Sequence, residues 1–208
     1  MVRLRIYLFI CYFFIQFNFF SQQLNSKEII LGEIINDFLE TKYPEETFNN
    51  YIYIGIKRQQ LYYFKNSELL NVFAVSTAEK GAGNNFSSNQ TPTGLHFIKQ
   101  KIGGNAPIGT LFKNKKNTGK LVVIHKDECL EPKDEITSRV LVLSGKEIGI
   151  NKGSKKDTFS RGIYIHGTSD ESSIGHAKSH GCVRMRNNNI ITLYDQVIEG
   201  MIVILIDN

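Results

Sequence analysis

The chain opens with an apolar block, "IYLFICYFFIQFNFF" at residues 6–20, set behind Arg3 and Arg5 and ahead of the polar "SQQLNSKE". A basic start, an apolar run and a polar exit are the order of a secretory signal. As a helix this block reaches only about 22 Å, short of the roughly 30 Å of bilayer hydrocarbon. Residues 1–21 are therefore expected to be a signal peptide. An uncleaved anchor is the alternative, because Phe19 is bulky where cleavage prefers a small residue. Ile29, Ile30, Ile34, Ile35, Phe38 and Leu39 then recur at helical spacing behind Ser26. They predict a helical N-terminal segment within residues 22–49.

From residue 50 onward, alternation and short apolar runs take over. "YIYIGIKRQQLYYF" (51–64) predicts a hairpin turning at 58–60. "LLNVFAVST" (69–77), "LHFIKQKIG" (95–103), "LVVIH" (121–125), "RVLVLSG" (139–145) and "RGIYIHG" (161–167) predict strands, with a long loop at 78–94. "NNNIITLYDQVIEG" (187–200) predicts a helix with an Asn cap and Gly200 as its stop. "MIVILID" (201–207) predicts a buried closing strand. Many short strands and few helices give a mainly β domain over residues 50–208. It is expected to be a β-sandwich or open barrel with a small C-terminal helix.

A length of 208 residues suits one domain with an appendage, and 41% hydrophobic residues suffice for a full core. The net charge of +5 is scattered. Its densest cluster, "KNKKNTGK" (113–120), lacks interleaved aromatics and reads as a solvated loop, so no nucleic-acid partner is expected. A mild positive charge suits an anionic polymer. Cys11 lies inside the apolar block. After export, Cys129 and Cys182 either pair as a disulfide, or Cys182 works as a free thiol and Cys129 stays a bystander.

Chemistry concentrates in "IHGTSDESSIGHAKSHGCVRM" (165–185), which holds His166, His176, His180 and Cys182. His176 and His180 would suit zinc only on one helical face, and the Gly- and Ser-rich segment disfavours a helix. No metal and no cofactor is therefore expected. A thiol nucleophile explains more. His166 ends an apolar strand, where its ring would be held as a base for Cys182. Gly181 lets the chain turn sharply and frees N–H groups for an oxyanion, while Arg184 and Arg186 add positive charge nearby.

"IHGT" followed by "SHGCVRM" resembles the signature of the YkuD-type L,D-transpeptidases, cell-wall enzymes of bacteria. "VST", "TPTGLHFI", "ITSRVLVLSG" and "DTFSRGIYIHGT" resemble their short, single-domain branch. The resemblance implies that Cys182 attacks the carbonyl before the terminal D-alanine of a peptidoglycan tetrapeptide stem. His166 would take the thiol proton and pass it to the leaving amine. The Gly167 carbonyl would orient the imidazole, and the N–H groups of Gly181 and Cys182 would hold the oxyanion. Ser179 and His180 would brace the loop, and Arg184 would bind a stem carboxylate or polarise the thiol. The acceptor amine would come from a second stem or a carrier protein, and carbapenem-type β-lactams would inhibit. Hydrolysis of stems or links by the same pair is the alternative reading. A non-catalytic wall-binding domain is a third, disfavoured because both His166 and Cys182 are present. Export to the periplasm or cell envelope follows from the N-terminus.

Overall fold

The computed structural model describes residues 26–127 and 134–208. The expected signal peptide or anchor, Cys11 and Cys129 lie outside the described residues, and Cys182 is a free cysteine rather than half of a disulfide. No described helix is long and apolar enough to cross a membrane.

Two helices, α1 (Ser26–Lys42) and α2 (Asn187–Gln196), accompany ten strands. These are β1 (Tyr51–Gly55), β2 (Gln60–Lys65), β3 (Glu68–Ser76), β4 (Gly94–Ile102), β5 (Thr110–Lys113), β6 (Lys116–Leu121), β7 (Ile136–Gly145), β8 (Tyr164–Thr168), β9 (Val183–Met185) and β10 (Ile202–Ile206). They form one mixed sheet in the order β4-β10-β1-β2-β3-β9-β8-β7-β5-β6, and β4 also pairs with β7. That last pairing joins the ends of the main ladder, so the barrel description holds and β5–β6 hangs from β7 as a flap. Two pairs are parallel, β1 with β10 and β8 with β9.

The interior follows from alternation. Ile52, Ile54, Leu61, Tyr63, Val75, Leu141, Leu143, Ile165, Val183, Val203 and Leu205 point inward, and α2 closes the core with Ile190 and Leu193. The hairpin expected over 51–64 forms as β1 and β2, and every residue of β1 is buried. The reason is α1, whose Ile35 and Leu39 pack with Tyr51, Tyr53, Tyr62 and Phe64 on the outer side of β1 and β2. Tyr51 stacks on Phe64 with ring centroids 4.4 Å apart. Gly32 permits the approach, since a Cβ there would lie 3.2 Å from Leu69 Cβ.

Three sequence expectations need correction. The segment 113–120 is no free loop: most of it is strand, paired as the β5–β6 hairpin through Phe112–Asn117 and Lys113–Lys116. Its polar side chains stay in water while the backbone supplies the pairing, so hydropathy carries no signal. Residues 122–124 of the expected "LVVIH" strand are unpaired in the ladder, because β6 ends at Leu121. Helix α2 stops at Gln196, before Gly200; Lys101 Nζ donates to the Tyr194 and Val197 carbonyls at 2.7 and 2.6 Å and caps the end there. Its N-cap is Arg186, without a side-chain capping bond, and Asn187 is the first helical residue.

His96 is fully buried between Gly94 O (2.9 Å from Nδ1) and Thr158 Oγ1 (3.0 Å from Nε2). Burial lowers its pKa to about 4, outweighing the upward pull of the Gly94 bond. The unfolded chain therefore binds more protons between pH 6.5 and 4 than the folded one. Stability is complete above about pH 6.5 and should fall by about 3 kcal/mol as the pH drops to 4. Chemical denaturation of wild type and His96→Gln across this window tests it; the variant should show a flatter pH dependence.

Candidate active site

β8 carries His166, and β9 begins one residue after Cys182. In their parallel pairing Ile165 faces Val183 and His166 faces Arg184. Side chains alternate along a strand. Ile165 and Val183 are buried in the main core, so Tyr164, His166, Cys182 and Arg184 share the opposite face. Cys182 and His166 thus become diagonal neighbours on adjacent strands, a relation within side-chain reach.

The thiol rests against the entry of β8. Cys182 Sγ accepts from Tyr164 N at 3.4 Å and donates to Gly162 O at 3.5 Å. His166 is buried, with Nδ1 2.7 Å from Gly167 O. A carbonyl can only accept, so Nδ1 carries the proton and Nε2 is the free base. Ser179 Oγ donates to Cys182 O at 2.6 Å and accepts from Gly181 N at 3.2 Å. The Gly181 N–H expected to face an oxyanion is therefore engaged by Ser179 in the resting site. Gly181 itself sits at φ +128, where a Cβ would lie 3.1 Å from Ile163 Cδ1.

Arg184 is engaged inside the protein. It is buried, and its Nη2 lies 2.7 Å from Asp134 Oδ1. Its charge is paired within the protein, so a substrate carboxylate would have to compete with Asp134. His180 is exposed and places Nδ1 2.7 Å from Asp134 Oδ2. His176 is exposed on irregular backbone, with no helix to align it with His180. Arg186 is exposed.

Three further residues escaped the sequence reading. Asp134 has no motif around it. Arg161 binds Gly83 O at 3.0 Å and Gln90 O at 2.5 Å, tying the 78–93 loop to the start of β8. Asn187 is buried and uses both ends of its amide. Oδ1 accepts from Thr137 Oγ1 (2.7 Å) and Ser138 Oγ (2.6 Å), and Nδ2 donates to Thr168 O (2.7 Å) and Glu171 Oε1 (2.8 Å). It presses on Gly167, where a Cβ would meet Asn187 Oδ1 at 2.6 Å and Thr137 O at 2.7 Å. Its position five residues after Cys182, inside the same motif, was the available signal.

A family model for the L,D-transpeptidase catalytic domain matches residues 49–205. The chain belongs to the YkuD family. No curated protein matches it. Similar solved structures include the Ldtfm–avibactam carbamoyl enzyme (14% identity, TM-score 0.48, covering 78% of this chain and 50% of that one). An L,D-transpeptidase from Mycobacterium smegmatis gives 19% identity and a TM-score of 0.44, over 76% of this chain and 58% of its own. L,D-transpeptidase 3 from Mycobacterium tuberculosis with a faropenem-derived adduct gives 14% and 0.47, over 75% and 59%. The chain thus spans between half and three fifths of these neighbours.

Within this YkuD domain the resting pair is neutral. Burial pushes the Cys182 thiol up to about 12, against the Tyr164 N–H, which favours the thiolate; Asp134 adds to the rise, and Arg184 and Arg161 oppose it. Burial lowers His166, with the Gly167 bond and Asp134 pulling it up and Arg184 pulling it down. The site is therefore built for proton transfer on demand, not for a standing thiolate–imidazolium pair.

Two outcomes follow. Alkylation of Cys182 by iodoacetamide should keep accelerating from pH 7 to pH 10 without a plateau, read by intact-mass kinetics. A plateau below pH 9 would show a standing thiolate. Asn187→Asp, which turns two donors into acceptors facing Glu171 and Thr168 O, should cost about 3 kcal/mol, or roughly 6–12 °C in Tm. Differential scanning calorimetry measures it.

Proposed function

We propose that the chain is a peptidoglycan L,D-transpeptidase in which Cys182 is the nucleophile and His166 the general base. The observation that carries this reading is the placement of both side chains on one face by the β8–β9 register, with His166 Nε2 left free by the Nδ1–Gly167 bond. The donor is a tetrapeptide stem. Its carbonyl carbon meets Sγ as the thiol proton passes to Nε2. The C–N bond to D-alanine breaks, the amine leaves with that proton, and a thioester remains on Cys182. An amine of a second stem or a carrier protein then attacks the thioester carbonyl; the new C–N bond forms, the C–S bond breaks, and the amine's proton passes through Nε2 to Sγ, restoring the thiol. The Cys182 N–H is the donor proposed for the oxyanion; Gly181 N–H joins it if Ser179 Oγ turns away. Export through the N-terminal segment places the enzyme with its substrate.

The thioester must outlive water. The local sequence around Cys182 holds no carboxylate, but the fold brings Asp134 close. Its oxygens are held by Arg184 and His180, and these bonds and charges keep its carboxyl below the usual range despite burial. A carboxylate so engaged is a poor base for activating water. A carbapenem, whose strained amide the thiol can open, should therefore leave a persistent thioester on Cys182. Intact-protein and peptide mass spectrometry should show one adduct, absent from Cys182→Ser; an adduct elsewhere would sink the choice of nucleophile.

The deciding experiment incubates the protein with tetrapeptide-stem muropeptides and identifies the products by mass. Dimers are the expected result, tripeptides would mean hydrolysis, and unchanged substrate would overturn an enzymatic reading. Cys182→Ser should be inactive with the fold retained, and His166→Ala slower by about 10²–10⁴.

A further inference from the structure

His166 must become an imidazolium during the reaction, in a position with almost no access to water. The charged groups facing its ring are Arg184, which opposes that charge, and Asp134, which favours it. Facing the thiol are Asp134, Arg184 and Arg161. Arg184 lies directly across from His166 in the β8–β9 register. Unpaired, its guanidinium would repel a buried imidazolium on the neighbouring strand. Asp134 answers this by geometry. One carboxylate oxygen takes Arg184 Nη2 at 2.7 Å, and the other takes His180 Nδ1 at 2.7 Å. The carboxylate is thereby fixed from two sides, one of them the loop that carries Cys182. Its side chain is about one-third exposed.

We propose that Asp134 is a positioning residue for the reaction, holding Arg184 and His180 so that one fixed negative charge stands beside the site where the imidazolium forms. The assignment rests on the transpeptidase reading above. Asp134 does not touch the substrate and accepts no proton. When Sγ transfers its proton to His166 Nε2, the new positive charge on the ring is balanced by Asp134, while the negative charge passes to the attacked carbonyl oxygen. When the amine leaves, the proton goes with it and the ring is neutral again. The same carboxylate opposes a thiolate in the resting enzyme. Asp134 thus trades intrinsic thiol reactivity for proton-transfer competence.

That trade gives a signature a merely structural residue would not show. Asp134→Asn keeps one oxygen for Arg184, turns the other into an NH2 that faces His180, and removes the charge. Two rates are compared at pH 8 on the full chain: muropeptide turnover, and alkylation of Cys182 by iodoacetamide, which needs no general acid. In Asp134→Asn, turnover should fall about tenfold or more. Alkylation should rise about threefold, because the thiolate fraction grows faster than the nucleophilicity of a less basic sulfur falls. Asp134→Glu, which keeps the charge, should stay within a few-fold of wild type in both. A parallel loss of both rates in Asp134→Asn would reduce Asp134 to a loop anchor, and unchanged or rising turnover would remove its role. If the wild type processes no muropeptide, the transpeptidase reading falls first; the alkylation arm then decides alone whether Asp134 governs the thiol.

Discussion

β8 and β9 run parallel, so the chain cannot turn directly from one into the other. It must leave the end of one strand and return to the start of the next. In most folds a helix makes that crossing. Here residues 169–182 make it as a loop with one short 3₁₀ turn, Glu171–Ser173, and most of their backbone polar groups need partners from elsewhere. The end of β3 supplies many of them. Val75 O takes Gly175 N, and Thr77 O takes both Lys178 N and Ser179 N, each at 2.9 Å. Ser179 O in turn accepts from Glu79 N at 3.0 Å. The crossover is thus hemmed along β3 before it delivers Cys182 beside Tyr164. Cys182 is set by a loop, but the loop is set by a strand edge.

His166 is held from the other side by Asn187. A buried amide satisfied at both ends is costly to disturb, because each lost bond strands a partner in a dry environment. Asn187 links β7, through Thr137 and Ser138, with the end of β8, through Thr168. It also fixes Glu171 in the crossover. Gly167 lies under this amide with no room for a side chain. The Gly167 carbonyl that holds His166 Nδ1 is consequently as rigid as the barrel wall. A weaker orienting partner than a carboxylate suffices when it cannot move.

These constraints explain what the sequence made legible. His166 and Cys182 stood out because their motif is contiguous and the apolar run "GIYI" announces the strand that presents His166. The closing strand and the main inward residues follow from alternation. The burial of β1 on both faces does not, since it depends on α1 arriving from outside the barrel. The β5–β6 hairpin was hidden because backbone pairing, not burial, makes it. Asp134 was hidden for another reason: it lies 48 positions before Cys182, and only the tertiary fold brings it to Arg184. Arg184 shows the complementary case. Its place in the motif was visible, but its partner was not, so its charge looked available to substrate.

A cysteine enzyme can keep its thiolate ready or make it when needed. With a thiol pKa of about 12, the thiolate fraction of this site near pH 7 is about one in 10⁵. Attack through so rare a species is slow unless proton removal accompanies S–C bond formation, which makes the position of His166 Nε2 decisive. The same rarity protects the group. Oxidation and alkylation both proceed through the thiolate, so a neutral, half-buried thiol survives where a standing thiolate would be consumed. An enzyme exported as proposed works in such surroundings. Its substrate then supplies what the resting site withholds, a carbonyl whose developing oxyanion gives the departing charge somewhere to go.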